Sequence, residues 1–308
     1  MEVALPNFAG KKWINMYLGS VLVNLELANV KVVIDNSLKF CDSDPGCVAF
    51  EAKLNNKKLL IDLHDTPDEY YWKVDHRGFS RTNLSGNSSQ PLIPRYYPEK
   101  LDMPIFKIAI RPDKKYAENV FPYGPFVVQH NKDSTLLKYL LNKGNIYNPF
   151  NSNKILKPAP ANYPHTRVKA FSQINTKLLN PKAQFITTRV TPMQYWDAHG
   201  DCISLLNISG SGPHVVDKAP IEAMMLGVCI IHNDIDIKLP FNKQLEKNKH
   251  YLCLNEHYSD INEKINFLFD NRELLKDMGN EARNLIMSTS TPKARMQWMV
   301  ETVEEYYD

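Results

Sequence analysis

The sequence predicts an α/β protein of two domains, each built on a parallel sheet. Segments typical of buried strands alternate along the chain with segments whose apolar residues recur at helical spacing. The length of 308 residues is more than one ordinary hydrophobic core requires. Residues 148–164 contain four prolines and neither a helical nor an alternating pattern. This composition predicts a connector between the two halves.

In the first half we expect a strand at residues 2–5, a helix at 13–27 and a strand in "VKVVIDN", which together form a βαβ unit. Further segments have the composition of strands: "CVAFEA", "KKLLIDLHD", "FKIAIR" and "PFVVQH". The segment "STLLKYLL" has helical spacing and closes this half. The first domain is therefore predicted to span residues 1–150.

The second half repeats the alternation. We expect helices at residues 166–178, "MQYWDAHGD", 218–226 and 259–287, and strands in "AQFITT", "CISLLNIS", "VCIIHN" and "HYLCL". These segments predict a second domain at residues 151–292. Pro292 separates a last helix, 293–308, which is therefore free to leave the second domain and pack elsewhere.

Composition restricts the class of protein. Lys and Arg number 37 against 34 Asp and Glu, a net charge of +3 that favours a small anionic ligand over nucleic acid. An odd number of cysteines, five, indicates a reducing compartment. We find neither a secretory leader nor an apolar run of the ~20 residues that cross a membrane. We therefore expect a soluble cytoplasmic protein without a membrane span, a monomer or weak dimer.

A glycine-rich segment follows the strand "CISLLNIS". Open parallel sheets bind ligands at the carboxyl ends of their strands, and Gly210-Ser211-Gly212 lies at such an end. Glycines let backbone N–H groups approach a phosphate closely. The helix that begins after Asp217 adds the positive end of its dipole. Together these features predict an anion site.

Glu222 is the one carboxylate on the apolar side of that helix. Its neighbours three and four positions away include Ala219, Met225 and Leu226. A desolvated carboxylate needs hydrogen-bond donors, and the two hydroxyls of a ribose supply them. The alternative is a carboxylate at the exposed margin of the helix, or one bonded to Lys218.

The segment "GPHVVDKAPIEAMMLGVCIIHNDIDIKLPF" resembles the donor-binding segment of GT-B glycosyltransferases, most of all the exostosin-like enzymes. The resemblance covers about thirty residues well, with a weaker similarity in the residues that follow. It implies a GT-B fold, in which two Rossmann-like domains face each other across a cleft and the last helix returns to the first domain. The second domain would then hold a nucleotide-sugar.

Carried onto this sequence, the resemblance assigns the donor-binding residues. Glu222 would bind the ribose, the turn of residues 210–212 would bind the diphosphate, and residues 187–189 would lie near the base. Arg167 and Lys169 are candidate cations for the diphosphate, with a solvated surface charge as the alternative for each. The donor-binding candidates are Arg167, Lys169, Thr188, Arg189, Ser209, Gly210, Ser211, Gly212, His214 and Glu222.

His214 stands where retaining GT-B enzymes often have an acidic residue, eight positions before Glu222. This departure favours an inverting reaction, in which a base deprotonates the acceptor hydroxyl. The candidate bases are Asp65, at the end of a strand, and Asp75 and His76 in the loop beyond. Tyr71, Trp72 and Arg77 are candidate contacts of the acceptor, although aromatic residues in such a run serve plain packing as often.

The predicted activity is transfer of a sugar from a UDP-sugar, with UDP-xylose favoured, to a glycan or glycoprotein hydroxyl. We expect no metal, because cysteines and histidines lack the paired spacing of a zinc site and GT-B enzymes stabilise the diphosphate with a helix dipole and cations. A retaining GT-B transferase, a sugar-nucleotide epimerase and a non-catalytic nucleotide-sugar binding protein remain open. A nicotinamide dehydrogenase is disfavoured, because "GSGPHV" lacks the third glycine of the dinucleotide fingerprint.

Overall fold

A computed structural model provides the coordinates, and it divides the chain into two compact units. Unit 1 comprises Met1–Ser134, Lys238–Asn242 and Thr289–Asp308, and unit 2 comprises Thr135–Ile237 and Lys243–Ser288. The structure describes residues 1–8, 15–39, 49–63, 70–75, 78–83, 102–108, 110–112, 116–125, 134–157, 165–187, 191–208 and 218–308.

Unit 1 is built on a six-stranded sheet. Its strands are β1 (Glu2–Leu5), β2 (Lys31–Ile34), β3 (Ala49–Leu54), β4 (Lys57–Asp62), β7 (Ile105–Lys107) and β8 (Val120–Pro122), in the order β2-β1-β3-β4-β7-β8. The helix α1 (Asn15–Leu27) connects β1 to β2, which are parallel. This confirms the βαβ unit expected at the start of the chain. Of the expected strand "PFVVQH", residues 126–130 lie outside the described part.

The sheet of unit 1 is mixed, whereas the sequence predicts a parallel one. Strand β3 runs antiparallel to β1 and to β4, while β7 and β8 run parallel to β4. The cause is the two-residue turn of Asn55 and Asn56, whose φ angles are 49° and 66°. Two consecutive residues in the left-handed region form the tight turn that joins adjacent antiparallel strands.

A separate two-stranded antiparallel sheet follows in the chain. It consists of β5 (Tyr70–Asp75) and β6 (Gly78–Asn83), with Asp75 opposite Gly78. Asp75 is thus the last residue of a strand, and the expectation that it lies in a loop is wrong.

The last helix, α8 (Pro292–Tyr307), completes the core of unit 1, as expected. Met296, Met299 and Val303 are buried in one cluster with residues of the sheet and of α1. Arg295 is also buried and donates hydrogen bonds to Tyr123 O at 3.1 Å and to Asn24 Oδ1 at 3.0 Å. Its guanidinium further bonds the carbonyls of residues 125 and 290. These bonds hold α8 to Tyr123, which follows β8, and to Asn24 of α1.

Unit 2 is built on a parallel sheet of five strands. They are β9 (Lys154–Leu156), β10 (Gln184–Ile186), β11 (Ser204–Leu206), β12 (Ile230–His232) and β15 (Leu252–Cys253), in the order β10-β9-β11-β12-β15. The short strand β14 (Lys243–Gln244) also belongs to unit 2, whereas β13 (Lys238–Leu239) and the 3-10 turn at Pro240–Asn242 belong to unit 1. The parallel sheet confirms the fold class expected for the second half.

The connector expected at residues 148–164 contains β9, a central strand of that sheet, so its interpretation as linker is wrong. Only three residues of β9 pair, which is too short a run for an alternating pattern to be visible. The division between the units falls at Ser134 and Thr135, before the boundary expected at residue 150.

Helix α2 belongs to unit 2, so the expectation that "STLLKYLL" closes the first half is wrong, whereas the other helices of unit 2 follow the predicted order. The helices of unit 2 are α2 (Thr135–Lys143), α3 (His165–Ser172), α4 (Pro192–His199), α5 (Lys218–Met225), α6 (Ile261–Asp270) and α7 (Arg272–Thr289), with a 3-10 turn at Thr176–Leu178. The single long helix expected at 259–287 is two helices, because Asn271 departs from helical geometry with φ −129° and ψ 39°.

A close approach of backbones joins α7 to the end of α5. Gly227 follows α5 with φ 81°, and the N–H of Val228 donates to Ala223 O at 2.9 Å, a common glycine closure of a helix. A Cβ built on Gly279 of α7 would lie 1.9 Å from Gly227 O. Position 279 therefore accepts only glycine without movement of α7.

Substitution Gly279→Ala tests this contact. We expect a loss of about 3 kcal/mol in the free energy of unfolding, because the methyl group would overlap the carbonyl of Gly227. Gly144→Ala is the matched control: Gly144 has φ 74°, and nothing lies within 4 Å of its added Cβ. That control should cost about 1 kcal/mol from backbone strain alone. Equal losses in urea unfolding would contradict the steric interpretation.

Candidate ligand site at the carboxyl edge of the second sheet

Glu222 lies inside unit 2, on the helix α5. Residues 220–225 of α5 are all buried, and Glu222 itself is 3% exposed. The alternative that Glu222 lies at an exposed margin is therefore wrong. Lys218, which is exposed at the start of the helix, lowers the pKa of Glu222 electrostatically but forms no ion pair with it within the described residues.

The carboxylate of Glu222 has one hydrogen-bond donor among the described residues. Its Oε2 accepts from Nε1 of Trp196 at 2.9 Å, and its Oε1 makes no hydrogen bond to them. Burial raises the pKa of Glu222, while Lys218 and the Trp196 bond act in the opposite direction. A buried carboxylate with one oxygen left to accept is suited to binding a ligand hydroxyl.

Helix α4 holds Trp196 in place. Thr191 caps the helix, with its Oγ1 accepting from the Gln194 N–H and the Gln194 side chain accepting from the Thr191 N–H, and Pro192 occupies the first turn. The buried indole of Trp196 stacks on Tyr139, with ring centroids 6.1 Å apart. A capped helix and a stacked ring fix the direction of the N–H that Glu222 accepts.

The pKa of Tyr195, the neighbour of Trp196, depends on the charges of both Glu222 and Arg167. Burial raises the pKa of Tyr195, the Glu222 carboxylate raises it further, and Arg167 lowers it. Both charges therefore lie within electrostatic range of the Tyr195 hydroxyl. Glu222 and Arg167 are both buried in unit 2.

Arg167 is buried on α3, and its guanidinium lies at the carboxyl end of β11. Its Nε donates to Ile208 O, and its Nη2 donates to Asn207 Oδ1 at 3.4 Å. Residues 207 and 208 directly follow β11. The interpretation of Arg167 as a solvated surface charge is wrong. Lys169, two residues further, is exposed and has no hydrogen bond to another described side chain.

Two buried polar atoms at this edge have no hydrogen-bond partner among the described residues. They are Nδ2 of Asn207 and Nε2 of His232. His232 is the last residue of β12, next to β11 in the sheet. Burial lowers the pKa of His232 to about 4, so the imidazole is neutral at pH 7. Arg167 lowers this pKa as well, which places its charge near His232.

The remaining site candidates cannot be placed from side-chain geometry. Asp75, Tyr71 and Trp72 lie on β5, for which only the backbone is described. The others lie outside the described residues: Asp65, His76, Arg77, Thr188, Arg189, Ser209, Gly210, Ser211, Gly212 and His214.

At the corresponding edge of unit 1, Asp62 and Lys107 form a buried ion pair. Lys107 Nζ lies 3.1 Å from Asp62 Oδ2, and the two residues end the parallel strands β4 and β7. Strand β4 ends at Asp62, three residues before Asp65, so the expectation that Asp65 ends the strand is wrong. Buried polar side chains therefore lie at the carboxyl edge of the sheet in unit 1 as well as in unit 2.

Sequence reasoning missed four residues of the site in unit 2: Tyr195, Trp196, Asn207 and His232. Asn207 and His232 could have been found, because each is a polar residue at the end of an apolar strand, "LLN" and "IIH". No pattern in the sequence distinguishes Trp196 from an ordinary core residue.

No described helix has the length and apolarity to cross a membrane. No group of three or more His, Cys, Asp or Glu side chains is arranged to hold a metal ion within the described ranges.

Comparison with known proteins gives remote structural likeness only. No family model matches the chain, and no curated protein matches its sequence. A crystal structure of a mutant of S. aureus TarM with fondaparinux, α-GlcNAc-glycerol and UDP is similar with a TM-score of 0.43 and 16% identity, covering 65% of this chain and 43% of TarM. Anabaena Alr3699/HepE with UDP has a TM-score of 0.37 and 10% identity, covering 51% and 50%.

An α-glucosyltransferase in complex with UDP-glucose and DNA containing an abasic site has a TM-score of 0.41 and 9% identity, covering 65% of each chain. This chain thus spans between 43% and 65% of the length of these three proteins. At this level of likeness, the assignment of the site depends on its own geometry.

Substitution Trp196→Phe tests the bond to Glu222. We expect a loss of about 1–3 kcal/mol in the free energy of unfolding, because a buried carboxylate oxygen loses its donor. In a Glu222→Leu background the same substitution should cost less, and the difference is the coupling free energy. Coupling should be larger at pH 8 than at pH 4, because a charged carboxylate accepts a stronger bond. Zero coupling would show that Trp196 acts by packing alone.

The buried histidines predict how stability depends on pH. Burial lowers the pKa of His199, as of His232, from 6.5 to about 4. The unfolded chain binds these protons below pH 6.5 and the folded chain does not, so stability falls from pH 6.5 to pH 4, by about 3 kcal/mol per histidine. In urea unfolding, the difference in stability between pH 7 and pH 4.5 should be smaller for His199→Gln than for the wild type, because the contribution of His199 is removed. An unchanged loss would contradict the assignment.

Proposed function

We propose that the protein is a glycosyltransferase of the GT-B type that takes a UDP-sugar, with the donor held by unit 2. The observation that carries the proposal is the buried Glu222 carboxylate. One of its oxygens accepts from Trp196, and the other has no donor among the described residues. It lies within the segment that resembles the donor-binding segment of these enzymes.

The site has the chemistry that a nucleoside diphosphate requires. A ribose presents two hydroxyl donors, which suit a desolvated carboxylate. Arg167 supplies a permanent positive charge at the same edge of the sheet, and a buried cation stabilises the diphosphate as it leaves. Binding of a UDP-sugar uses the first function, and departure of UDP uses the second.

The parts of the reaction contributed by unit 1 also belong to the proposal. Reaction with inversion places a base in unit 1, with Asp65, Asp75 and His76 as candidates, and Tyr71, Trp72 and Arg77 as acceptor contacts. The acceptor is a glycan or glycoprotein hydroxyl, and UDP-xylose is the favoured donor. In this proposal unit 1, which includes the last helix, binds the acceptor, and unit 2 binds the donor. No metal is required in this scheme.

Substitution Glu222→Gln tests the ribose contact. Glutamine keeps the shape and an oxygen that can accept from Trp196, but it removes the charge. We expect UDP affinity to fall about thirtyfold, the value of one hydrogen bond to a charged group. Isothermal titration calorimetry with UDP measures the effect, and Glu222→Ala should reduce binding further.

Glu51→Gln is the matched control for loss of a buried carboxylate. Glu51 is a buried residue of unit 1 that accepts from the Lys39 N–H at 2.9 Å. This variant should bind UDP as the wild type does. Unchanged UDP affinity in Glu222→Gln would disprove the ribose assignment. Release of free UDP from a UDP-sugar with an acceptor panel identifies a transferase, interconversion of sugars an epimerase, and binding without turnover a binding protein.

A further inference from the structure

Asn207 and His232 lie side by side at the end of the second sheet. The N–H of Asn207 donates to Ile231 O at 3.0 Å, which extends the parallel register of β11 and β12 by one residue. Residues paired in register point to the same face of a sheet. Asn207 is 2% exposed and His232 is 1% exposed. The two side chains are therefore neighbours inside the protein.

The hydrogen bonds of Asn207 and His232 show which of their polar atoms have no hydrogen-bond partner among the described residues. His232 Nδ1 lies 2.7 Å from Asn233 O, a carbonyl that can only accept, so Nδ1 carries the proton. In the neutral ring, Nε2 is then a lone-pair acceptor. Asn207 Oδ1 accepts from Arg167, which leaves the two N–H donors of Nδ2. Neither leftover atom has a partner in the described part of the chain.

An unpaired donor beside an unpaired acceptor selects one kind of ligand group. Buried polar atoms without partners oppose folding, so such atoms in native proteins call for a partner that the chain does not supply. A phosphate oxygen only accepts and an ammonium only donates. A hydroxyl does both, since it can accept from Asn207 and donate to His232.

We propose that Asn207 Nδ2 and His232 Nε2 bind one hydroxyl of the sugar that is transferred. This inference rests on the proposed function. The position favours the sugar over the ribose, because Asn207 is bonded to Arg167, the proposed cation of the diphosphate, whereas the ribose is assigned to Glu222. In a nucleotide-sugar the transferred sugar is attached directly to the diphosphate.

Two substitutions of His232 separate its two nitrogens. In His232→Gln the side-chain amide reaches the position of Nε2 and retains an acceptor there. In His232→Asn the amide reaches only the position of Nδ1, so the bond to Asn233 O is kept and the acceptor is lost. The probes are UDP, and whichever of UDP-glucose and UDP-xylose the wild type binds more tightly.

We expect His232→Asn to bind the UDP-sugar about tenfold more weakly and UDP as the wild type does, whereas His232→Gln, which keeps the acceptor but loses the bond to Asn233 O, should retain most of the UDP-sugar affinity. Asn207→Leu should weaken binding of the UDP-sugar and, because it also removes the Oδ1 acceptor of Arg167, of UDP. The part of its effect that is specific to the sugar should shrink in the His232→Asn background. One monodeoxy analogue of the sugar should bind the wild type about tenfold more weakly, with no further loss in His232→Asn. Melting temperatures within a few degrees of the wild type confirm that the variants fold.

Several results would overturn the inference. Equal losses for UDP and the UDP-sugar in His232→Asn would place the pair against the nucleotide. Unchanged binding of both, with lower stability of the ligand-free variant, would show that an internal water occupies the pair. In either case UDP binds the wild type and the proposed function stands. A wild type that binds neither UDP nor a UDP-sugar overturns both proposals.

Discussion

Removing the Glu222 carboxylate from water costs free energy of the order of several kcal/mol, and a single bond from Trp196 offsets only part of it. Two features of the surrounding structure bear on this cost. Helix α4 is capped and its indole stacked so that one N–H reaches the carboxylate. Arg167 is buried at the same sheet edge and bonded to backbone and amide oxygens.

Helices and strands with long sequence patterns were predicted correctly. Features of the fold that depend on only a few residues were missed. Helical spacing over more than ten residues identified α1 and α8, and continuous apolar runs identified β11 and β12. Strand β9 was missed because three residues carry no periodicity, and the prolines around it suggested a linker. The mixed sheet of unit 1 follows from Asn55 and Asn56, whose left-handed conformation reverses the chain. A two-asparagine turn between two strand candidates was the signal for it.

The candidate site shows the same limit at the level of side chains. Glu222 stood out because a carboxylate among apolar residues is unusual in any helix. The role of Arg167 could not be weighed against that of Lys169, because burial depends on the packing of α3 against residues about forty positions later. The orphaned atoms of Asn207 and His232 depend on tautomer and register, which exist only in the folded sheet.

The position of α8 has a consequence for the order in which the protein is made. Met296, Met299, Val303 and Arg295 belong to the interior of unit 1, yet they are translated after all of unit 2. During synthesis, unit 1 is exposed as an incomplete core while unit 2 already has every residue it needs. Domains usually mature in N-terminal to C-terminal order on the ribosome. Here the later unit can mature first, and the earlier one must wait, in need of protection from aggregation, until the final helix emerges from the ribosome.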